Sequence, residues 1–282
     1  MKRVGVLYHP KKDASQDIAS DIRTWLDTHA VAAWAADSRE DNDLVRRITE
    51  SDLIVTIGGD GSMLRVARMA AGSQTPIIGI NMGRLGFLSE LSIDDWQEPF
   101  SRILAGEYWI EKRMMLLAMA YRQGEQLGSY LALNDVVISR GAVARVVRLR
   151  VEIDGERFTT YVADGIIIST PTGSTAYALA AGGPILQPEL RNILVLPIAP
   201  HLTLDRPVIL AEGAAVRIQT RTDQRAFLTV DGQVEFELAS DDVVEVHSSH
   251  HEAHFVRLGK RTYFYNALLQ RLEPKQSDSV DW

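Results

Sequence analysis

A Gly-Gly-Asp-Gly turn at residues 58–61 constrains this chain more than any other feature of its sequence. The apolar, β-branched run 53–57 precedes the turn and predicts a buried parallel strand, and residues 62–71 after it predict a helix. The glycines let a ligand approach the backbone, and the free N–H groups at the helix start favour an anion such as phosphate. The carboxylate of Asp60 would repel phosphate there, unless it binds a metal ion or takes a proton from an attacking hydroxyl. The turn therefore favours phosphoryl transfer, although a strand, a glycine turn and a helix also occur together without a ligand.

The composition limits the classes of protein to which the chain can belong. Its 282 residues suffice for one large domain or two ordinary ones. A formal net charge of -7 argues against a broad nucleic-acid surface, and the absence of cysteine excludes disulfides, a thiol nucleophile and Cys-ligated metal sites. No apolar stretch is long enough to span a bilayer, and the first eight residues predict a strand and not a signal peptide. We therefore expect a cytoplasmic protein with neither a nucleic-acid nor a membrane partner.

The first third of the chain alternates strand-like and helix-like segments. These segments, two strands and two helices, lie at residues 4–8, 15–29, 44–49 and 77–80. The alternation predicts an α/β domain over residues 1–111 with a doubly wound, mostly parallel sheet. Ligands bind beyond the carboxyl ends of the strands in such sheets, which is where we expect the GGDG turn and the loop 81–88.

The pattern changes near residue 111, beyond which short β-like runs dominate. We predict strands over residues 114–121, 130–139, 146–153, 158–162, 166–169, 193–198, 215–220, 226–230 and 243–247. The Asp154-Gly155 pair predicts a hairpin between two of them. Their density predicts an all-β, sandwich-like domain over residues 112–258. Residues 259–282 form a C-terminal segment that we expect to dock through its aromatic residues, up to a loose end at residues 276–282.

A second strong motif, residues 164–177, joins an apolar strand to a run of hydroxyl residues around a proline and a glycine. A helix is predicted over residues 176–181, with Ser174 and Thr175 as N-cap candidates. The hydroxyl groups and the N–H groups at the helix start could bind ribose or phosphate oxygens. A capped turn without a ligand is the simpler alternative.

Three weaker features carry less information. The Asn134-Asp135 pair suits a nucleobase edge or ribose hydroxyls, but it also suits a plain turn. His201 lies in a proline-rich loop, where it could bind ribose or phosphate or be purely structural. Four histidines between residues 247 and 254 are compatible with a metal site, but we expect His250 and His251 to lie in a turn, and we assign no metal ligands from protein side chains.

The motifs, in this order and from residue 58 to residue 233, resemble those of the NAD kinase family, which makes NADP. The matching pieces are GGDG at 58–61, NMGRLGFL at 81–88, Asn134-Asp135, the block 164–184 and Pro200-His201. The block 164–184 is the most specific piece, because GGDG is shared with lipid kinases and phosphofructokinases. Ser62 stands where the family often has threonine, and Asp135 stands where many members have glutamate.

The resemblance implies a two-domain enzyme that binds NAD between an α/β domain and a β-sandwich, with the C-terminal segment packed back on the first domain. It implies that Asp60 is the general base for the 2′-hydroxyl of the adenosine ribose. It also implies ATP or polyphosphate as the phosphoryl donor, Mg²⁺ as the divalent metal ion, and assembly as a homodimer or homotetramer.

The resemblance assigns roles residue by residue. Gly59, Gly61 and Arg65 would bind the donor phosphates. Asn134 and Asp135 would hold the adenosine part of NAD, and Asp164 its nicotinamide side. The other implied NAD contacts are Asp60, Gly61, Thr172, Thr175, Ala176, Tyr177, Ala178, Leu179, Ala180 and Gln233, with Arg145 and His201 as additional candidates. The alternatives are another kinase with a GGDG turn, acting on a lipid or a sugar phosphate, and a non-catalytic regulator that binds NAD(P).

Overall fold

The computed structural model describes residues 1–39, 41–83, 86–141, 146–201, 204–222 and 225–272. Its N-terminal part consists of β1 (Arg3–Tyr8), α1 (Asp13–Thr28), β2 (Ala32–Asp37), α2 (Asn42–Thr49), β3 (Leu53–Ile57), α3 (Asp60–Ala70), β4 (Ile77–Asn81), β5 (Leu91–Ser92) and α4 (Gln97–Leu104). The apolar run before the GGDG turn forms β3, as predicted. Helix α3 begins earlier than predicted, so Asp60 and Gly61 belong to its first turn.

Parallel strands form the N-terminal part of the sheet in the order β2-β1-β3-β4, and the short β5 also pairs in parallel with β4. Every residue of β3 and β4 is buried, as expected for strands that are covered on both faces. Helix α1 contributes its apolar side, including Ile22 and Leu26, to the core on one face of the sheet. The direction of winding changes between β1 and β3, and doubly wound folds bind ligands at the carboxyl ends of strands at such a switch point. The predicted α/β architecture is confirmed.

The C-terminal part is built mainly of strands. Its elements are β6 (Trp109–Arg122), β7 (Glu125–Ala132), β8 (Asp135–Arg140), β9 (Val147–Ile153), β10 (Glu156–Ala163), β11 (Gly165–Ser169), α5 (Tyr177–Ala180), β12 (Asn192–Ile198), β13 (Val208–Ala211), β14 (Ala215–Arg221), β15 (Ala226–Val230), β16 (Val234–Leu238), β17 (Val243–Arg257) and α6 (Tyr263–Leu272). The predicted hairpin joins β9 to β10, and Asp154 and Gly155 have the positive φ angles, 52° and 82°, that a type I′ turn requires. The strand predicted over residues 130–139 is divided between β7 and β8, because the backbone N–H groups of Leu133 and Asn134 bond to a side chain and not to a neighbouring strand.

Two sheets face each other in the C-terminal part. The smaller sheet has six strands in the order β13-β12-β11-β8-β15-β16. The larger sheet continues from β4 through β17 to β14, β9 and β10, and β6 pairs with both β17 and β7. One apolar core takes residues from both sheets, including Leu116 and Leu149 from the larger and Ile138 and Ile166 from the smaller. The predicted sandwich is confirmed.

Two long strands carry the larger sheet through both parts of the molecule. Strands β6 and β17 pair antiparallel along most of their length. Near its end, β17 also pairs in parallel with β4, where Phe255 lies opposite Ile77. The predicted division at residue 111 falls inside β6, and it stays a prediction because β6 and β17 belong to both parts.

The prediction of a turn at His250 and His251 is wrong, since both residues lie inside β17. The register of β17 against β6 shifts between Ser248 and Glu252, and this irregularity lets the strand continue without a turn. Strand β17 therefore extends to Arg257 and reaches the N-terminal strands.

The segment after β17 packs back on the N-terminal part, as predicted. The backbone N–H groups of Leu258 and Gly259 donate to Glu90 Oε1 at 2.9 and 3.2 Å. The Trp109 indole N–H donates to the Gly259 carbonyl oxygen at 2.8 Å, and Phe264 of α6 is buried. Residues 276–282, for which we predicted a loose end, lie outside the described residues.

Candidate active site

Asp60 lies in the first turn of α3, just beyond the carboxyl end of β3. Gly59 is the N-cap residue, and the positive end of the helix dipole favours the carboxylate at the next position. Gly58 permits a close approach between the turn and the helix, since a Cβ at this position would lie 2.8 Å from Ser62 Cβ. Asp60 is half-exposed, so it can contact a ligand as well as the protein.

The loop after β4 closes on the carboxylate of Asp60. The backbone N–H of Phe87 donates to Asp60 Oδ2 at 2.9 Å, and that of Leu88 donates to Oδ1 at 3.2 Å. Gly86 lies so close that a Cβ there would collide with the carboxylate. The GGDG turn and the loop 81–88 therefore meet at the carboxyl ends of neighbouring parallel strands, as predicted. Residues 84 and 85 of this loop lie outside the described residues.

Asp231, a buried residue that the motifs do not identify, organises the turn at Asn134 and Asp135. Its Oδ1 accepts the backbone N–H groups of Asn134 and Asp135 at 2.8 and 3.1 Å, and its Oδ2 accepts that of Leu133 at 3.0 Å. Burial raises the pKa of Asp231, while these N–H groups and Arg68 act in the opposite direction. The signal that could have located Asp231 is its Asp-Gly pair, which has φ angles of 51° and 63° in the β15–β16 hairpin.

Arg68 and Gln233 join this hairpin to α3. Arg68 donates to Asp231 Oδ2 at 3.3 Å and to Gln233 Oε1 at 2.8 Å. The Gln233 amide donates to the Gly61 carbonyl oxygen at 2.6 Å. The structure thus brings Gln233 of the C-terminal part next to the GGDG turn.

A cavity of about 330 Å³ opens beside the Asn134-Asp135 turn. The residues that line it include Asn134, Asp135, Ser139, Ala176, Tyr177 and Thr229. Asp135 is 5% exposed, and burial together with the nearby Asp231 raises the pKa of Asp135 from 3.8 to about 7. Near neutral pH its carboxyl group can therefore donate or accept a hydrogen bond. This capability suits a ligand that presents both donors and acceptors, as a nucleoside does.

The hydroxyl-rich segment after β11 forms a short 3₁₀ helix over residues 172–175, followed by α5. Several of its hydroxyl groups donate to nearby carbonyl oxygens, as those of Ser169, Thr170 and Ser174 do. The predicted N-caps are wrong, because Ala176 is the N-cap of α5 and the side chains of Ser174 and Thr175 bond elsewhere. Much of the hydroxyl density therefore stabilises the loop itself.

Thr172 and Thr175 lie at the two ends of this 3₁₀ helix. Thr172 Oγ1 accepts from the buried guanidinium of Arg113 at 3.1 Å. Thr175 Oγ1 donates to the Thr172 carbonyl oxygen at 3.2 Å. The buried guanidinium of Arg113 therefore holds Thr172 in position.

The predicted dinucleotide contacts in and around α5 differ in exposure. Ala176 and Tyr177 line the cavity, and Tyr177 is 46% exposed. Ala178 is fully buried in a small apolar core, whereas Leu179 is partly buried and Ala180 is exposed. Contact between a ligand and Ala178 would therefore have to involve its backbone.

Asp164 lies at the opposite end of the β8–β11 pair from Asp135. The strands are antiparallel, with Ser169 opposite Asp135. Arg140 Nε donates to Asp164 Oδ1 at 2.7 Å in a partly exposed ion pair. Strand β8 spans about 17 Å between its two ends, from the usual rise per residue. A ligand contacting both Asp135 and Asp164 must therefore be long, as a dinucleotide is.

Of the two additional candidates, the structure describes His201. His201 is exposed, and its backbone N–H donates to the Val162 carbonyl oxygen at 2.7 Å, next to β10. Arg145 lies outside the described residues.

A second cavity, of about 450 Å³, lies beyond the carboxyl ends of β1 and β2. His9, Lys11, Arg39 and the predicted donor residue Arg65 line it. Burial, followed by the charges of Lys12, Arg65 and Lys11, lowers the pKa of His9. The basic side chains favour an anion, and their position near the β1–β3 switch point is where doubly wound folds bind ligands. The His-Pro-Lys-Lys run directly after β1 is the sequence signal that could have found this cavity.

Two kinds of feature are absent from the part of the chain that the structure describes. No group of three or more His, Asp or Glu side chains there is arranged to hold a metal ion. No helix there combines the length and the apolar character needed to cross a membrane.

Family models match most of the chain. Residues 34–108 match the ATP-NAD kinase N-terminal domain, and residues 133–258 match the ATP-NAD kinase C-terminal domain. The NAD kinase of Chloroflexus aggregans is 39% identical over 272 residues, which are 96% of this chain and 99% of that protein. The NAD kinase of Dehalococcoides mccartyi is 36% identical over 281 residues, which are 99% of both chains.

Two solved structures resemble the whole fold. An NAD kinase from Archaeoglobus fulgidus, in complex with ATP, has a TM-score of 0.77 and 25% identity, and the match covers 94% of this chain and 97% of that one. Yeast NADH kinase in complex with NADH has a TM-score of 0.82 over 100% of this chain and 90% of its own, and its 24% identity supports a shared fold only.

Proposed function

The chain belongs to the NAD kinase family and is a phosphotransferase with an alcohol acceptor, and on this premise we propose that Asp60 is the general base for its reaction. In that reaction the terminal phosphoryl group of ATP is transferred to the 2′-hydroxyl of the adenosine ribose of NAD. The observation that carries the proposal is the Asp60 carboxylate, which two backbone N–H groups hold just beyond the carboxyl end of β3.

The proposed role of Asp60 follows from the chemistry of the acceptor. A secondary hydroxyl is a weak nucleophile near neutral pH, and a carboxylate within hydrogen-bond reach takes its proton as the new bond to phosphorus forms. The bond between the γ-phosphorus and the bridging oxygen breaks, and ADP leaves with that electron pair. Each Asp60 oxygen accepts one backbone N–H and keeps acceptor capacity for the hydroxyl.

We propose that NAD lies along β8 and β11, with its adenosine at Asn134 and Asp135 and its nicotinamide side near Asp164. The antiparallel register supports this placement, because it puts Asp135 and Asp164 at opposite ends of one strand pair. Thr172, Thr175 and residues 176–180 would line the dinucleotide, with Gln233 and Gly61 beside the ribose. Arg145 and His201 stay candidates for further contacts.

We place the donor phosphates against Gly59, Gly61 and Arg65, next to the basic cavity. The complex of the Archaeoglobus fulgidus relative with ATP supports ATP as the donor. Mg²⁺ in phosphoryl-transfer sites is usually held by substrate phosphates together with one or two carboxylates, so it would arrive with the donor and would offset the charge of its phosphates.

We also propose a cytoplasmic homodimer or homotetramer, with the domains divided near residue 111. Exposed apolar side chains near α5, those of Tyr177, Ile185 and Leu190, support a subunit contact there. Light scattering during gel filtration measures the assembly directly, and a monomer at micromolar concentration would contradict it.

The test of the proposed function is NADP formation by the purified protein and by its Asp60→Asn variant. General-base assistance contributes about 10²–10⁴-fold, so we expect the variant to fold, to bind NAD and to lose turnover by about that factor. Asp43→Asn, which changes an exposed carboxylate in the first turn of α2, is the matched control and should keep its turnover. Near-normal turnover of Asp60→Asn would remove Asp60 from the role of base.

A further inference from the structure

A buried ionic network lies beneath both loops of the proposed site. Glu111 and Arg113 of β6 and Arg257 of β17 are at most 2% exposed. Arg113 Nη2 and Arg257 Nε both donate to Glu111 Oε2 at 2.8 Å. Because charges removed from water are costly unless they are well paired, these groups have little freedom to move.

One end of this network reaches the residue that holds Asp60. Arg257 Nη1 donates to the Leu88 carbonyl oxygen at 3.1 Å and to Glu90 at 3.0 Å. The backbone N–H of the same Leu88 donates to Asp60 Oδ1 at 3.2 Å. A displacement of Arg257 would therefore move the backbone that orients the carboxylate.

The other end reaches the proposed NAD loop. Arg113 Nη1 donates to Thr172 Oγ1 at 3.1 Å. Arg113 thus links Glu111 to Thr172, while Arg257 links the same Glu111 to Leu88.

Tyr263, at the start of α6, closes the network from the C-terminal segment. Its hydroxyl donates to Glu111 Oε1 at 2.9 Å and accepts from Arg113 Nη2 at 2.7 Å. The Arg257 guanidinium lies over the Tyr263 ring, 4.8 Å from its centroid. The C-terminal segment therefore contacts both arginines.

The charge balance keeps the network ionic. Burial alone would raise the pKa of Glu111, but the Arg113 and Arg257 guanidiniums outweigh burial and hold that pKa below its usual range. Arginine is required for the geometry, because each guanidinium donates in two directions that a lysine ammonium cannot reproduce.

We propose that Glu111, Arg113, Arg257 and Tyr263 form a positioning network for the transfer reaction. In this network Arg257 orients Asp60 through Leu88, and Arg113 fixes the position of Thr172 in the proposed NAD loop. The proposal rests on the proposed role of Asp60. Both arginines are positioning residues, because each acts on the reaction through another residue.

The first test is a double-mutant cycle between Arg257→Lys and Asp60→Asn. Small displacements of a reacting group can cost about 10²-fold, so we expect Arg257→Lys to lower kcat by roughly tenfold or more, with the KM for NAD within about twofold. Calorimetric titration with NAD counts the competent sites, so that kcat is expressed per folded site. In the Asp60→Asn background, Arg257→Lys should cause no further loss, since it acts through Asp60.

The second test separates the two ends of the network. Arg113→Lys should raise the KM for NAD several-fold and change kcat less, which is the reverse of the effect of Arg257→Lys. Tyr263→Phe is the milder variant if a lysine variant does not fold, and it should alter both parameters by about twofold to tenfold.

Two matched controls show what an Arg→Lys or a Tyr→Phe change does outside the network. Arg122→Lys changes a two-bond pair with Asp242 in the C-terminal part, and Tyr161→Phe removes a buried hydroxyl that has no hydrogen bond among the described residues. Both controls should leave kcat and KM within about twofold.

The outcomes are distinguishable. Additive losses in the cycle, or equal effects of both lysine variants on KM, would overturn the positioning network while leaving Asp60 as the base. Full turnover of Asp60→Asn would instead overturn the proposed role of Asp60 as the base, which is the premise of the network.

Discussion

At the scale of single residues, folding raises the pKa of Asp135, a buried carboxyl group at the proposed site. Its pKa in the folded protein is about 7, against an ordinary value of 3.8, so the folded protein holds a proton that the unfolded chain releases between these pH values. The free energy of unfolding should therefore fall as the pH rises from about 4 to about 7, and should not change through this group below that range.

We expect Asp135→Asn to remove this part of the pH dependence, because the amide is neutral throughout. Thermal melts of the ligand-free proteins at about pH 5 and about pH 8 measure this pH dependence. Between these two pH values the unsubstituted protein should lose more stability than Asp135→Asn. Asp17→Asn, an exposed change on α1, should keep the dependence of the parent. An equal loss in the parent and in Asp135→Asn would show that Asp135 titrates as an ordinary carboxylate.

At the scale of elements, the loop after β4 packs closely against the first turn of α3. Gly86 has no Cβ where the Asp60 carboxylate lies, and the next two residues donate their N–H groups to that carboxylate. The loop and the helix therefore set the orientation of Asp60 jointly.

Gly86→Ala should displace the Asp60 carboxylate and lower kcat by about tenfold or more, because orientation of the base controls the rate. Circular dichroism should report a folded protein, since the change lies at the surface of the cleft. Gly72→Ala is the matched control, because a Cβ there meets no atom within 4 Å. Turnover of Gly86→Ala equal to that of Gly72→Ala would contradict the close fit.

At the scale of the whole molecule, strands β6 and β17 make the two parts depend on each other. Strand β17 pairs with β4, and its residues Phe255 and Val256 are buried in the two N-terminal cores. Without β17, the N-terminal part would expose one edge of β4. It would also expose the apolar core residues that Phe255 and Val256 cover.

We therefore expect the full chain to unfold in one cooperative transition, and a fragment of residues 1–108 not to fold by itself. Circular dichroism melts of the full chain and of the fragment measure the number of unfolding transitions in each. A separate cooperative transition of the fragment would show that the N-terminal part is an autonomous domain.

The sequence was informative where local chemistry decides the structure. The apolar run into GGDG predicted β3, and Asp154-Gly155 predicted the β9–β10 hairpin, because each signal lies within a few adjacent residues. The resemblance to a known family further supplied the residues that we propose for the NAD site.

Contacts between distant segments were not predictable from those local signals. Asp231 bonds to the backbone of residues 133–135, and Arg257 reaches Leu88 across the sheet, so neither partner is visible in the neighbouring sequence. Several hydroxyl groups of residues 169–175 donate to nearby carbonyl oxygens and stabilise the loop, which is the alternative that the sequence left open beside ligand binding.

A crystal structure with bound NAD tests the central claim most directly, through the distance from the Asp60 carboxylate to the 2′-oxygen of the adenosine ribose. The account predicts a hydrogen-bond distance of about 2.6–3.2 Å, with Phe87 and Leu88 still donating to the same carboxylate. A well-ordered dinucleotide whose 2′-oxygen lies beyond the reach of Asp60, even through one water molecule, would contradict it.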